Sequence, residues 1–469
     1  MVVLDRLPAT VLCGIAEALC PHCTPDHQRR GHRKFWSSAG AGGPLPGPDP
    51  RLRTLAALAR TCWTLNDVAT RALYHEPCAS VHLVRTLNEK PELCRHVTNL
   101  YIDVVSDRYN DSVGTVDEDN ALLLQIAAKH APGGLLPNPS SANEGGHTTP
   151  GAFLAADRDY FVQSLLIAMC PNIQDLFASC GYRADFPFST PGSLPRLRHL
   201  HITHTDTELG TSIQGASQLL TAAPRLESLW GYMISWCTQS IPVLPHVREL
   251  RFVNSTFGRN VLVNLLRACP NLESFAYDAG GATSGDEQFT PRQAQRALLR
   301  YAPELKHLEL HFANDEGMSE LQEVDEEEEE DEEGDDNHDD DDGNNTCLNS
   351  RLTALSSLET LSVDWGCLER ELKGPDDAPY LASLVPRSVT LVEYFPLVKP
   401  GWGESYLKLV QRLAEAAPAL LPNLQTIRLE DPYYNAGMDE FKGPSKEEAR
   451  AITEATGIEV RIPPYQTYM

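Results

Sequence analysis

Cys20-Pro-His-Cys23 holds two thiols at the C-x-x-C spacing that lets both sulfurs reach one metal ion. His22, His27 and His32 lie close by, and Cys13 stands one helical stretch earlier. Zinc needs four ligands, however, and C-x2-C-x3-H-x4-H lacks the long central loop of finger-like sites. The expectation is a reduced pair, with no metal and no cofactor. A second set of chemical groups, His199, His201, His307, Glu309 and His311, falls at alternating positions of strand-like stretches. The pairs alone are too few for a catalytic metal, and water-exposed strand positions accept histidine freely. The chain has no phosphate-cradling G-x-x-x-x-G-K-[ST], no G-x-S-x-G, no H-E-x-x-H and no dinucleotide fingerprint. No catalytic residue is assigned, and a nonenzymatic protein is expected.

The histidines sit inside a recurring phrase. CPNIQDLFAS from Cys170, LPRLRHLHIT from Leu194, APRLESLWGY from Ala223, LPHVRELRFV from Leu244, CPNLESFAYD from Cys269 and APELKHLELH from Ala302 share the template P-x-Φ-x-x-Φ-x-Φ, where Φ is apolar. LSSLETLSVD from Leu355 and LPNLQTIRLE from Leu421 continue it, a weaker copy without the proline begins at Cys94, and Val385 to Tyr394 is a degenerate one. The prolines at 171, 195, 224, 245, 270 and 303 are spaced by 24, 29, 21, 25 and 33 residues, which brackets a leucine-rich-repeat length. Apolar residues at helical spacing precede the phrases, as in DYFVQSLLIAMC, RNVLVNLLRAC and PRQAQRALLRY. Proline should end each helix, since it lacks an N–H and pushes the residue before it out of helical geometry. Thr290-Pro291 is the matching start signal.

Helix then strand, repeated with short links, forces parallel strands. The fold class expected is α/β: an irregular leucine-rich-repeat-like solenoid, a horseshoe, over residues 81–469. Its concave sheet face offers candidate substrate-binding residues Tyr101, Phe177, His199, His201, Trp230, Tyr232, Arg251, His307, His311 and Arg428. Aromatic and arginine side chains among them are the types that dominate binding energy.

Charge excludes several partners. The 469 residues carry 65 acidic and 39 basic side chains, a formal charge of −26, so neither nucleic acid nor an acidic membrane surface is an expected partner. Most of the excess sits in residues 323–342, with 16 acidic side chains and no Lys or Arg. Such a run cannot offset its ordering entropy, and disordered insertions are expected near 323–346 and 131–151. Asp5, Arg6 and Pro8 interrupt any secretory leader, no apolar run is long enough to span a bilayer, and the 12 cysteines are scattered. An intracellular protein with reduced thiols, cytoplasmic or nuclear, is expected.

Residues 1–80 read differently. LDRLPATVLCGIAEAL places Leu7, Val11, Leu12, Ile15 and Leu19 on one helical face; after a Pro/Gly-rich insertion at 21–50, LRTLAALARTCWTLNDVATRALYHE gives a second helix, a turn near Asn66 and a third helix. This segment resembles an F-box: Leu7, Pro8, Val11, Leu12 and Ile15 match its first helix, and Leu58, Ala59, Arg60, Thr61, Cys62, Trp63, Leu65 and Ala69 its second part. The likeness is greatest to fungal F-box proteins with a leucine-rich-repeat body, although Thr10 stands where an acidic residue is usual.

The resemblance implies a small all-α F-box-like domain in front of the solenoid. It implies a substrate-recognition adaptor of an SCF-type cullin-RING ubiquitin ligase, docking the SCF adaptor subunit and cullin scaffold through Leu7, Pro8, Val11, Leu12, Ile15, Leu55, Leu58, Cys62, Trp63 and Leu65. An unidentified protein substrate would lie on the repeats. The alternative is a leucine-rich-repeat scaffold acting outside any ubiquitin ligase.

Overall fold

The computed structural model describes residues 7–21, 23, 50–77, 79–102, 116–130, 154, 158–180, 186–203, 211–236, 241–280, 288–312, 346–369, 372, 374–395, 403–429 and 446–461. The stretches 131–151 and 323–342, and most of 21–50, lie outside them. The fold is mixed α/β, in two compact units, Met1–Tyr232 and Met233–Met469.

The described residues of the first unit open with helices α1 (Ala9–Leu19), α2 (Pro50–Ala59) and α3 (Trp63–Leu73). Leu12, Ala16 and Cys20, Leu55, and Leu65, Val68, Ala69 and Ala72 form one buried cluster among them. Pro8 starts α1, its carbonyl accepting from the Val11 and Leu12 N–H groups at 2.9 and 3.1 Å. The second turn does not fall near Asn66 as expected but at residues 60–62. Asn66 lies in the first turn of α3, where its Nδ2 donates to the Ala59 carbonyl at 2.7 Å. The side chain thus closes the end of α2 rather than breaking the backbone at its own position.

Among the described residues of this unit, α-helices α4 (Val81–Glu89), α5 (Val116–His130), α6 (Arg158–Met169) and α7 (Ser217–Ala222) follow. Interleaved with them are β1 (Asn99–Tyr101), β2 (Asp175–Ser179), β3 (His199–Thr203) and β4 (Ser228–Tyr232). These strands pair in parallel in chain order, with Tyr101, Phe177, His201 and Trp230 in one register row.

The second unit repeats the scheme. After the short strand Ile234–Trp236, its main-sheet strands among the described residues are β5 (Glu249–Ser255), β6 (Ser274–Ala279), β7 (His307–His311), β8 (Thr360–Asp364), β9 (Leu391–Phe395), β10 (Thr426–Leu429) and β11 (Glu459–Arg461). They too pair in parallel and in order, so that Arg251, Ala276, Glu309, Ser362, Glu393 and Arg428 share a row. The helices are α8 (Arg259–Ala268), α9 (Pro291–Tyr301), α10 (Ala378–Leu384), α11 (Gly403–Leu420) and α12 (Lys446–Thr456). Thr290 caps α9 in a capping box with Gln293, the two bonds measuring 3.2 and 3.0 Å.

The prolines do more than stop helices. In each phrase the residue before proline accepts, through its carbonyl, from the N–H three positions on, as Ile173 to Cys170 at 3.3 Å, Leu272 to Cys269 at 3.2 Å and Leu305 to Ala302 at 3.1 Å. Proline therefore occupies the second position of a turn, where its fixed φ is already right. Where asparagine follows it, the side chain ties the turn to the preceding repeat: Asn172 donates to the Arg95 carbonyl, Asn271 to Pro245 and Asn423 to Arg387, at 2.9, 2.8 and 2.9 Å.

Candidate functional site

Burial sorts the residues of the three-helix segment. Leu12, Leu55 and Leu65, assigned to partner docking from the sequence, are interior residues of the helical cluster. They are the ones that hold the helices to each other, so a partner meets them only indirectly. Leu7, Ile15, Leu58 and Cys62 are half-buried, and Pro8 is exposed. Val11 at 45% and Trp63 at 92% stand out, because few large apolar side chains among the described residues are so open to water. Trp63 is the first residue of α3 and Val11 lies in the first turns of α1.

On the sheet of the first unit, the register row becomes a line of rings. Tyr101 stacks on Phe177 with centroids 4.4 Å apart, Phe177 faces His201 at 6.1 Å, and His201 meets Trp230 edge-on at 4.8 Å. Strand spacing of about 4.8 Å sets these contacts. Tyr101, Phe177 and His201 are half-buried. Trp230 and Tyr232, expected to face a partner, are instead buried, at 4% and 5% exposure, on a strand whose five residues are all covered. Alternation along a strand tells which side a residue points to; it does not tell whether that side is covered, and parallel strands are commonly covered on both. His199 binds its neighbours, Nδ1 lying 2.8 Å from Ser228 Oγ and Nε2 3.9 Å from Asp175.

The row of the second unit is polar and paired. Arg251 donates through Nη2 to both oxygens of Glu309, at 2.8 and 2.7 Å, and Arg428 pairs with Glu393. His311 has Nε2 at 3.2 Å from Ser362 Oγ, Nδ1 at 3.8 Å from Glu309 and its ring at 4.2 Å from Phe395. Burial pushes the His311 imidazole down to about 4, the Arg251 charge adding to the effect and Asp364 opposing it. The imidazole is therefore neutral at pH 7. Burial raises the Glu393 carboxyl, against the pull of Arg428. His307 is exposed. A groove of about 430 Å³ opens along Pro245, Pro270 and Pro303, at the turn edge rather than among these side chains.

A third grouping was only half visible in the sequence. Cys20, at the end of α1, Cys23 and His75, two residues beyond α3, bring their ligand atoms within 4.8 Å of one another. His75 Nδ1 lies 3.8 Å from Cys20 Sγ and 3.3 Å from Cys23 Sγ. Among the described residues no other group of three or more His, Cys, Asp or Glu side chains converges in this way, the sheet histidines included. Cys20 is buried, His75 half-buried and Cys23 exposed. The Cys23 thiol is pushed up, first by its bond with Cys20 and then by burial and the Cys20 and Glu17 charges. The C-x-x-C spacing signals the two cysteines, whereas no local motif marks His75, 52 positions beyond Cys23.

No protein-family model matches the chain, and no curated protein matches it either. No helix among the described residues is long and apolar enough to cross a membrane.

Proposed function

We propose that the chain is a substrate-recognition adaptor of an SCF-type cullin-RING ubiquitin ligase. Helices α1 to α3 act as an F-box that docks the SCF adaptor subunit, and the repeat sheets, as parts of a leucine-rich-repeat horseshoe, hold a target protein. The single observation that supports this most is the exposure of Val11 and Trp63 on helices most of whose leucines pack into one cluster. A partner covering Trp63 would take its apolar surface out of water, and tryptophan is among the residue types most enriched in binding hot spots. Both residues lie at positions matching the F-box pattern.

In this reading the chain supplies no reacting group. It raises the effective concentration of a target lysine near a ubiquitin-charged enzyme held by the cullin scaffold. Affinity capture of the full chain tests it: the adaptor subunit and cullin should co-purify with wild type and be lost from Val11→Asp/Trp63→Asp. Failure to recover either with wild type replaces this reading with that of a repeat scaffold outside any ligase.

A further inference from the structure

We infer that Cys20, Cys23 and His75 form a zinc-binding site that staples the end of α1 to the end of α3. This inference is independent of the ligase reading and revises the expectation, drawn from the sequence, that the C-x-x-C pair binds no metal. Tetrahedral zinc with Zn–S of about 2.3 Å and Zn–N of about 2.0 Å requires edges of about 3.8 Å between two sulfurs and about 3.5 Å between sulfur and nitrogen. The observed sulfur-to-nitrogen separations are 3.8 and 3.3 Å, so both thiols already stand at ligand spacing from one ring nitrogen. Two soft sulfurs and an imidazole are a donor set that selects zinc over magnesium or calcium.

The fold holds these donors in place from both sides. Cys20 is anchored in the helical cluster and its Sγ lies 3.6 Å from the Ala72 carbonyl, one turn before His75. His75 is fixed through its backbone: its carbonyl accepts from the Thr98 and Asn99 N–H groups, at 3.1 and 2.8 Å, where β1 begins. A metal here would therefore tie α1, α3 and the first strand of the sheet at one point. Cys20 and His75 are 55 positions apart, and closing so long a loop with a metal restricts the unfolded chain more than the folded one. Three protein donors leave a fourth tetrahedral position for water.

The experiment is metal analysis of the full chain, purified under reducing conditions and dialysed against metal-free buffer. About one zinc per chain is expected. Cys23→Ser and His75→Gln should each weaken zinc retention on the order of 10-fold or more. Cys13→Ser, whose thiol is outside the cluster, should retain the metal. Because Cys23 is exposed, Cys23→Ser should keep the helix content seen by circular dichroism, which separates loss of a ligand from loss of the fold. Cobalt replacing zinc should show a thiolate charge-transfer band in wild type that Cys23→Ser reduces. Wild-type chain with folded helices and far less than one zinc, or zinc retained equally by Cys23→Ser and His75→Gln, overturns the site.

Discussion

Arg251 reaches Glu309 over the top of Ala276. The register places these three residues side by side on β5, β6 and β7, so the pair spans two strand spacings, about 9.6 Å, rather than one. Only a methyl group stands between them, and the guanidinium lies across it to make both hydrogen bonds to the carboxylate. Both side chains keep over a quarter of their surface in water, so the pair is worth about 1 kcal/mol at most. A double-mutant cycle of Arg251→Met and Glu309→Gln should return coupling of that size. Repeating it on Ala276→Leu should return almost none, because the larger side chain occupies the path of the guanidinium. Coupling that survives Ala276→Leu would show that the small residue is not what permits the contact.

His311 should make stability depend on pH in a particular window. Its folded pKa of about 4 lies below the ordinary 6.5, so the unfolded chain binds the extra proton as pH falls. The contribution is fully present above pH ~6.5 and is lost as pH drops toward ~4. Between pH 7.5 and 5.5 the loss is about 1 kcal/mol. Comparing urea unfolding of wild type with His311→Asn at the two pH values isolates it, since the acidic residues elsewhere contribute equally to both. A difference that is the same at both pH values would mean that His311 titrates normally in the folded chain.

Val11 and Trp63 should separate docking from folding. Trp63→Asp changes an exposed side chain and should leave stability within about 0.5 kcal/mol while removing adaptor capture. Leu12→Ala, by contrast, empties a position that is 1% exposed in the helical cluster and should cost about 2–5 kcal/mol. Thermal melts run beside the capture experiment check this. If Trp63→Asp melts as early as Leu12→Ala, the tryptophan belongs to the core and the docking argument loses its support.

The repeats were legible because they are built from local signals. Alternating apolar residues such as Leu200 and Ile202 mark strands, and helical spacing in RNVLVNLLRAC marks α8 to within a residue of its end. What escaped depends on contacts between distant segments. Trp230 looks like any outward strand residue until its covering is known, and His75 becomes a neighbour of Cys23 only once α1 and α3 have packed. Asn66 misled for the opposite reason: its turn preference is satisfied by a side-chain bond to Ala59, leaving the backbone helical. Apolar spacing at Leu12 and Val11 is likewise the same kind of signal, although one is buried and the other exposed.

The asparagines after the turn prolines should matter in a graded way. Asn271 donates to the Pro245 carbonyl, so Asn271→Ala removes one hydrogen bond at an exposed turn and should cost about 0.5–1 kcal/mol. Asn271→Asp should cost more, because a carboxylate has no donor and sets its charge against a carbonyl oxygen. Denaturant unfolding of the two variants gives the order. Equal stability of both with wild type would reduce this contact to a surface coincidence.

Two buried glutamines tie a helix to a backbone peptide, the last of β2 in the first unit and that of Asn349 in the second, and their replacement should be among the costliest polar substitutions. Gln163 of α6 is fully buried; its Nε2 donates to the Ser179 carbonyl at 2.7 Å while its Oε1 accepts from the Ser179 N–H at 3.0 Å. Gln295 of α9 does the same for Asn349, its Oε1 accepting from the Asn349 N–H at 3.0 Å and its Nε2 donating to the Asn349 carbonyl at 3.2 Å and to the side-chain Oδ1 at 2.8 Å. An amide side chain pairing with a backbone amide satisfies both a donor and an acceptor that would otherwise be buried unmet. Gln163→Leu keeps the shape and removes both partners, leaving Ser179 to carry the desolvation of its N–H and carbonyl, about 1–3 kcal/mol for each group. Gln163→Glu offers an acceptor but no donor unless protonated, so its deficit should shrink as pH falls. Equilibrium unfolding of both variants, with amide exchange at Ser179 as the local readout, checks the pairing: exchange there should accelerate in Gln163→Leu, and unchanged protection would refute it.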